Sequence, residues 1–497
     1  MTDDNNIMIC IPIVGPTMDR ARKDLDACQN LADIIELRLD LIENFDLPLL
    51  LKEAGKPCIV TNRCKMDGGE FTGTEEERVD ILRKAIDLGV DYIDIETSTP
   101  GPLLKSILEN KGSVKAILSH HDFTRTADDL NPLYDLMSQL PADILKIITY
   151  ATDINDNLLL FRLLARAKKD EKQMIAFCMG EKGEVSRILT VQQGGWLTFG
   201  SLETGKESAP GQIPANTLKH IYRVNDLKPE SKVYGVIGDP VSKSMGYLIH
   251  NKAFQHVGLP HVYVPLLVQN VTRFFTAFEP YLGGLSVTMP HKEAIMKSLS
   301  RIDPAAERID AVNTVVPDGN GWAGYNTDYS GALKALEPHG PLKDKSVLII
   351  GAGGTAKAIG QGVVDQGAKL TLTYNRNKEK AQELADQLKG KLISIRDVDQ
   401  VAVDIVINCS PVGMAPNSND TPFPARLLKP NMVVFDSVYN PMETRLLKDA
   451  GAAGCATVSG VELFVNQAAG QFELWTGQPA PIDLMRQVVE EKLSPKE

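Results

Sequence analysis

Short apolar runs alternate with polar, helix-like stretches over the first 220 or so residues. The runs are IMICI (7–11), IIELR (34–38), CIVTNR (58–63), YIDIE (92–96), AILSH (116–120), ILKII (144–148), MIAFCM (174–179) and WLTFG (196–200), with starts 22 to 34 residues apart. Between them lie segments such as EEERVDILRKAIDL (75–88), whose apolar residues recur at helical spacing. Continuous apolar runs read as buried parallel strands, and helices between them as crossover connections. The same alternation serves an open doubly wound sheet; eight units favour closure into a (β/α)8 barrel.

The pattern breaks at RVNDLKPESK (223–232), a polar, Pro-containing stretch that reads as a linker. A new strand, VYGVIG (233–238), follows, and EPHGPLKDKS (337–346) marks a second boundary. Beyond it VLIIGAGGTAKAIG (347–360) reads as strand, glycine turn and helix. The expected division is a barrel at 1–222, a linker at 223–232, a lobe at 233–340 completed by a helical tail at 456–497, and a Rossmann lobe at 341–455.

Charge narrows the class of partner. Lys and Arg number 53 against 64 Asp and Glu, a net charge of −11. An acidic chain is a poor binder of nucleic acid or membrane surfaces, so small-molecule ligands are expected. The seven Cys show no CxxC and no paired Cys/His spacing, so neither a disulfide framework nor a metal site is expected. The acidic start MTDDNNIMIC reads as no targeting peptide, and no apolar run reaches the roughly 20 residues of a membrane span. The expectation is a cytoplasmic enzyme of several domains.

Functional residues of a parallel barrel sit at the C-terminal ends of its strands. Here those ends carry Glu36, Arg38, Arg63, Glu96, His120, His121 and Lys146. Lys146 lies inside an apolar strand, where an ammonium is costly unless it pairs or reacts. Desolvation and nearby cations favour the neutral amine, the nucleophile of Schiff-base chemistry. Arg38, Arg63 and Arg187 supply such cations and suit a substrate carboxylate. His120 or His121, oriented by Glu96, suits general acid–base work. Spacing alone serves equally well a set of salt bridges closing the barrel's top.

The motifs ELR (36–38), Arg63, DIE (94–96), SHHDF (119–123), DILKI (143–147), MGEKGEVSR (179–187) and SAPGQ (208–212) resemble type I 3-dehydroquinate dehydratase over about residues 5–222. The resemblance implies Lys146 as the Schiff-base lysine, His121 rather than His120 as general acid/base, and Glu96 as its orienting acid. Glu36, Arg38, Arg63, Arg187, Ser208 and Gln212 match substrate-binding positions. The loop around 203–212 would close over the site. Imine chemistry is shared with aldolases, but His121 with Glu96 and the SAPGQ loop argue against that reading.

In the third lobe Gly351 permits a tight turn, and Gly353 and Gly354 let backbone approach a pyrophosphate at a helix N-terminus. The next strand, LTLTYNRNK (370–378), ends in Asn375 and Arg376, 25 residues after Gly351, where an NAD site carries an acid. A guanidinium there suits a 2′-phosphate and favours NADP. Lys292 and Asp328 are the candidates for proton transfer beside a hydride acceptor.

GDPVSKS (238–244), SVTMPHK (286–292), AVNT (311–314), GYNTDYSG (324–331), NCSPVGM (408–414), FDSVYNPMET (435–444) and GVELFVNQA (460–468) resemble shikimate dehydrogenase over about 233–497. This implies Lys292 and Asp328 as the catalytic pair. Ser244, Thr288, Asn313, Tyr439 and Gln467 would hold the substrate. Gly351, Ala352, Gly353, Gly354, Thr355, Asn375, Arg376 and Gly460 would hold NADP(H). The sequence departs from the family pattern at Gly246 and Tyr247, which replace a Ser and a Pro, at Ser286, which replaces an Asn, and at Asn377, which replaces a Thr. Gly246 leaves room near the substrate's C1, so a quinate or quinate/shikimate dehydrogenase is the alternative for this half. A half kept only as a binding module is the non-enzymatic alternative, and Lys146, His121, Lys292 and Asp328 argue against it. The two implied reactions are consecutive.

Overall fold

The computed structural model describes residues 8–242, 244–374 and 378–494. They fall into two compact units: Met1–Lys232 with Pro260–Tyr281, and Val233–Leu259 with Leu282–Glu497.

Eight parallel strands form the core of the first unit: β1 (Met8–Ile13), β2 (Ile34–Arg38), β3 (Cys58–Thr61), β4 (Tyr92–Glu96), β5 (Lys115–His121), β6 (Ile144–Tyr150), β7 (Gln173–Met179) and β8 (Leu197–Ser201). Their neighbours run β7-β6-β5-β4-β3-β2-β1-β8, and a short β9 (Ile213–Pro214) pairs in parallel with β8. At the seam between β7 and β8, Trp196 N–H donates to Met174 O at 2.8 Å. This curled sheet is the expected (β/α)8 barrel, with strand ends within two residues of those read from the pattern.

The strand period of two sorts the interior into layers. Cys10, Ile34, Ile59, Ile117, Ile144, Ile175 and Leu197, each from a different strand, form one apolar cluster, with Tyr92 of β4 packed against it. Fully burying such side chains stabilises the fold by about 1.5–3 kcal/mol each. Two residues further along, the same face of β2 to β8 carries Glu36, Thr61, Asp94, Ser119, Lys146, Phe177 and Phe199. Two further still come Glu96 and His121 on β4 and β5. Apolar floor and polar upper layers thus follow from one alternation.

The helix Glu75–Asp87 starts with a capping box, Thr74 N–H donating to Glu77 Oε2 (2.8 Å) and Glu77 N–H to Thr74 Oγ1 (3.2 Å). It directs the fully buried Arg78 towards the barrel. The stretch 223–232 is no free tether. Val224 and Leu227 are buried, and Asn225 Nδ2 donates to Asp33 Oδ2 at 2.9 Å.

The second unit holds two sheets. In one, Leu282–Val287 lies between Val233–Gly238, parallel, and Thr314–Asp318, antiparallel. The helix Gly460–Thr476 packs on this sheet, Trp475 Nε1 donating to Val315 O (3.1 Å) and Ser286 Oγ to Gln471 Oε1 (2.9 Å). The other sheet is parallel, and its order is Lys391–Ser394, Lys369–Tyr374, Ser346–Ile350, Ile405–Asn408, Val433–Asp436, Ala456–Val458. Numbered along the chain this is 3-2-1-4-5-6, the Rossmann order, with its crevice where strands 1 and 4 diverge.

His250, on the helix Gly246–His256, is buried and its Nε2 lies 3.2 Å from Gln471 Oε1. Burial pushes its imidazole down to about 3. The unfolded chain takes up this proton near pH 6.5 and the folded chain does not, so the stabilisation is present above about pH 6.5 and is lost as pH falls towards 3. Thermal unfolding at pH 7, 6, 5 and 4 should show the second unit's Tm falling. His250→Gln should reduce that slope, and an unchanged slope would mean His250 contributes none of it.

Candidate active sites

Lys146 Nζ lies 2.9 Å from Asp94 Oδ2 and 3.8 Å from Glu36 Oε1, with Nζ 4.5 Å from the centre of the Phe199 ring. Asp94 Oδ1 also accepts from Arg63 Nη1 (2.9 Å) and Ser119 Oγ (2.6 Å). Burial alone would raise this carboxyl, but Arg63 and Lys146 outweigh it and hold Asp94 well below the usual carboxylate range. Thr61 Oγ1 donates to Glu36 Oε1 at 2.8 Å. Arg38 is paired bidentately with Asp40, at 2.9 and 2.7 Å.

Of these groups Lys146, Glu36, Arg63, Arg38 and Phe199 line a cavity of about 60 Å³ at the C-terminal end of the barrel strands. Of the residues expected there, Glu36, Arg38, Arg63, His121, Lys146, Arg187, Ser208 and Gln212 line it and Glu96 does not. Asp67, on the turn Lys65–Asp67 after β3, lines it as well. The loop over the cavity is latched: Ser208 N–H donates to Gln212 Oε1 (2.7 Å), and Gly180 N–H and Arg187 Nη2 both donate to Pro210 O (3.2 and 3.1 Å).

Adjacent strand residues face opposite ways, which separates the two histidines. His120 Nδ1 lies 3.4 Å from Thr97 Oγ1, whereas His121 lines the cavity. The expectation that Glu96 orients His121 is corrected here. Glu96 Oε1 accepts from Arg63 Nη1 (2.9 Å) and its Oε2 from Arg78 Nη1 (2.6 Å), so two buried guanidiniums occupy the carboxylate. The acid facing His121 is Asp67, with Oδ1 3.8 Å from Nδ1. Burial, then the Arg63 charge, pushes His121 down to about 3. Burial would raise Asp67, but the neighbouring His121 and the donors Ser98 and Cys64 bring it down to about 2. The site therefore holds a neutral imidazole beside a carboxylate, the arrangement of a base whose imidazolium is stabilised once it forms.

Among the described residues, Arg187 is the one cation of Arg38, Arg63, Lys146 and Arg187 with no carboxylate at ion-pair distance. Burial pulls its guanidinium down to about 10, so it remains charged at neutral pH, and its Nε has no hydrogen-bond partner. A ligand carboxylate supplies what it lacks.

Asp94, Ser119, Arg78 and Asp67 were not singled out from the sequence. Asp94 had a usable signal, since it stands two residues before Glu96 on the same strand face. Asp67 follows Arg63 by four residues in a loop of no regular period.

In the second unit Lys292 Nζ donates to Asp328 Oδ2 at 2.6 Å. Lys292 follows the turn that His291 N–H closes on Thr288 O (3.0 Å) after Leu282–Val287, and Asp328 lies in the first turn of Thr327–Leu336, which Asn326 caps through Tyr329 N–H (3.3 Å). Asn313 Oδ1 accepts from Thr327 N–H (2.7 Å), tying it to the same helix start. Gly331 lets that helix approach Gly460–Thr476 closely, because a Cβ there would meet Gln467 N at 2.8 Å. Gln467 Nε2 donates to Phe464 O (3.0 Å), and the Phe464 ring stacks on Tyr439 (5.1 Å). Thr288 packs against Gly238, and Ser244 Oγ accepts from Gly246 N–H (3.3 Å).

A cleft of about 620 Å³ opens at the strand 1–strand 4 crevice and is lined by Gly351, Ala352 and Gly353. Tyr374, Lys380, Ser410 and Thr421, not expected from the motif, line it too. Gly351 has φ +116°, and a Cβ there would meet Cys409 O at 2.9 Å. The helix Gly354–Asp365 has Gly353 as its N-cap and no side-chain cap, so its first N–H groups are free for a phosphate, and a Cβ on Gly353 would meet nothing within 4 Å. The residues present fit a dinucleotide. Gly354 and Thr355 open this helix, and a Cβ on Gly354 would lie 3.9 Å from Lys292 Cδ, so glycine turn and Lys292 are neighbours. Gly460 sits instead against Val438 O. Asn375 and Arg376 lie outside the described residues.

Comparison with known proteins matches successive stretches of the chain to known families. The model of type I 3-dehydroquinase matches residues 9–229, that of the shikimate dehydrogenase substrate-binding domain 236–315, that of shikimate/quinate 5-dehydrogenase 333–413, and that of the shikimate 5'-dehydrogenase C-terminal domain 460–490. A chloroplastic bifunctional 3-dehydroquinate dehydratase/shikimate dehydrogenase of Arabidopsis thaliana is 40% identical over 514 residues, covering 98% of this chain and 84% of its own. A shikimate biosynthesis protein of Chlamydia pneumoniae is 32% identical over 476 residues, 94% of this chain and 95% of its own. A crystal structure of a shikimate dehydrogenase in complex with NADP+ aligns with TM-score 0.51 and 36% identity, covering 54% of this chain and 98% of its own. With a lysine-bearing barrel in one unit and a Rossmann cleft beside a Lys–Asp pair in the other, the chain belongs to the bifunctional 3-dehydroquinate dehydratase/shikimate dehydrogenase family.

Proposed function

We propose that the chain converts 3-dehydroquinate to 3-dehydroshikimate through a Schiff base on Lys146, then reduces 3-dehydroshikimate to shikimate with NADPH. One observation carries the first reading: a buried lysine, a neutral imidazole and an unpaired guanidinium share one cavity. Arg187 takes the substrate carboxylate. Asp94 Oδ2, 2.9 Å from Nζ, aims the amine at the C3 carbonyl, and the proton the amine sheds leaves with the carbonyl oxygen. Imine formation expels the carbonyl oxygen as water and makes the C2 proton acidic. Neutral His121 removes that proton, and Asp67 stabilises the imidazolium. His121 returns the proton to the C1 hydroxyl as it leaves as water. Hydrolysis of the imine takes one water back, so one water is lost overall. The latched loop 208–212 keeps bulk water out.

For the second reaction the nicotinamide, when bound, supplies the hydride. Gly351, Ala352, Gly353 and the start of Gly354–Asp365 would hold the pyrophosphate, and Arg376 with Asn375 would hold the 2′-phosphate. Lys292 Nζ holds the proton destined for the carbonyl oxygen, and Asp328, at 2.6 Å, fixes the ammonium's direction. Ser244, Thr288, Asn313, Tyr439 and Gln467 hold the hydroxyls and carboxylate. The product of the barrel is the substrate of the second unit, and each half supports the reading of the other.

The domain division at 222, 232, 340 and 455 belongs to this proposal, as does a cytoplasmic location. Among the described residues no helix is long and apolar enough to cross a membrane. A second reading, tolerance for quinate, is favoured by Gly246: the first residue of the helix Gly246–His256 carries no hydroxyl of its own.

Given 3-dehydroquinate and NADPH, the chain should form shikimate, and borohydride should trap a covalent adduct. Lys146→Ala should form neither while still reducing supplied 3-dehydroshikimate; an adduct in that variant would rule Lys146 out. Asp67→Asn should lower the dehydratase kcat about 10- to 100-fold with an unchanged Tm. Glu96→Gln should instead lower Tm, because it strands Arg78 and Arg63, a loss of about 3–5 kcal/mol for a broken buried pair. The opposite pattern would return the orienting role to Glu96. In the dehydrogenase half, Gly246→Ser should raise kcat/KM for shikimate and abolish quinate oxidation; no quinate oxidation in the parent and no gain in the variant would sink the second reading.

A further inference from the structure

Arg187 stands just beyond a short turn, Glu181–Gly183, that follows β7. A three-residue 3₁₀ turn has little intrinsic stability, and this one is held within the barrel by Asn157 Nδ2 donating to Lys182 O (2.8 Å) and Ser186 Oγ to Gly183 O (2.7 Å). The structure provides a tie from outside the barrel sequence. Pro260–Tyr281 packs within the first unit, although it falls inside the stretch matched by the dehydrogenase substrate-binding model. It folds as a strand, Val262–Leu267, and a helix, Val271–Phe278, whose Phe274, Phe275 and Phe278 are buried.

Its polar side chains reach the loops that follow β6 and β7. Lys182 Nζ, on the turn after β7, donates to Gln269 Oε1 (3.0 Å) and to Thr152 O (2.6 Å) in the loop after β6. Arg273 Nη1 lies 3.6 Å from Asp153 Oδ2 in that same loop. The Tyr281 ring centre is 5.9 Å from that of Phe161, on the helix Asn157–Lys169. Lys182 thus joins three pieces of chain at one ammonium, five residues before Arg187. β6 and β7 flank the cavity, and β6 carries Lys146.

From this geometry we infer that Pro260–Tyr281 is a positioning element of the dehydratase site. Through Gln269 and Arg273 it fixes the turns after β6 and β7, and with them the direction of Arg187. Affinity for the carboxylate of 3-dehydroquinate therefore depends on sequence that the barrel does not contain. The inference rests on Arg187 as the carboxylate ligand. Holding a ligand-binding group in place acts on substrate affinity before it acts on the chemical step.

Gln269 and Arg273 are exposed, so their replacement in the full chain spares the core. The Gln269→Ala/Arg273→Ala variant should raise KM for 3-dehydroquinate about three- to tenfold, the range of one or two charge-assisted contacts. Its dehydratase kcat, borohydride adduct and dehydrogenase kcat/KM should be unchanged. Gln269→Glu, which keeps an acceptor for Lys182, should retain the parent KM. An unchanged KM in the double variant, with a raised KM in Arg187→Ala, overturns the positioning role alone. An unchanged KM in Arg187→Ala overturns the carboxylate reading, and this inference with it. Equal loss of both activities in the double variant would mark general damage and also overturn it.

Discussion

Everything at the catalytic end of the first unit depends on the contact between Lys146 and Asp94. It is 2.9 Å long and both side chains are buried. Stripping water from two ions costs several kcal/mol each, and a good geometry only just offsets it. The surroundings are built accordingly. Asp94 is held by Arg63 and Ser119, Arg63 by Glu96, and Glu96 by Arg78, which is anchored in turn by Glu75 and by Thr99 Oγ1 at 2.7 Å. The chain of charges runs from the barrel interior to a surrounding helix. It leaves the amine of Lys146 aimed before any substrate arrives, with the apolar floor beneath supplying the stability that an ionic layer does not.

The second unit solves a different constraint, close approach. Gly351 and Gly331 stand where a side chain would strike Cys409 O and Gln467 N. One glycine brings the crevice of the parallel sheet to a pyrophosphate; the other seats the Asp328 helix against the helix that carries Gln467. Both act by lacking a Cβ, and neither could be replaced without moving backbone.

What the sequence made legible follows from period and position. Eight apolar runs at regular spacing gave the barrel, and the alternation along ILKII placed Lys146 indoors. The strand–glycine–helix text gave the Rossmann crevice. Period also contained Asp94, which the DIE motif hid behind the more familiar Glu96. Assigning Glu96 to His121 failed for a physical reason. Strand position brings an acid near a histidine but says nothing of competing cations, and Arg78 arrives from a helix whose rotation no strand pattern reveals. Asp67 lies in a loop without period, so only the folded chain brings it to His121. The stretch 223–232 looked like a linker because its polar residues outnumber Val224 and Leu227, both of which are buried.

The unpaired guanidinium of Arg187 also has a kinetic side. The chain carries a net charge of −11, and its substrates are carboxylates. At long range the molecule repels what it must capture, and attraction begins only near the cavity mouth. The Debye length is about 8 Å at physiological ionic strength, so salt erases the distant repulsion while leaving the buried cation almost unscreened. Dilute buffer and moderate salt therefore weigh the distant repulsion and the local attraction differently. The salinity of the surrounding medium thereby becomes part of how the site recruits its ligand.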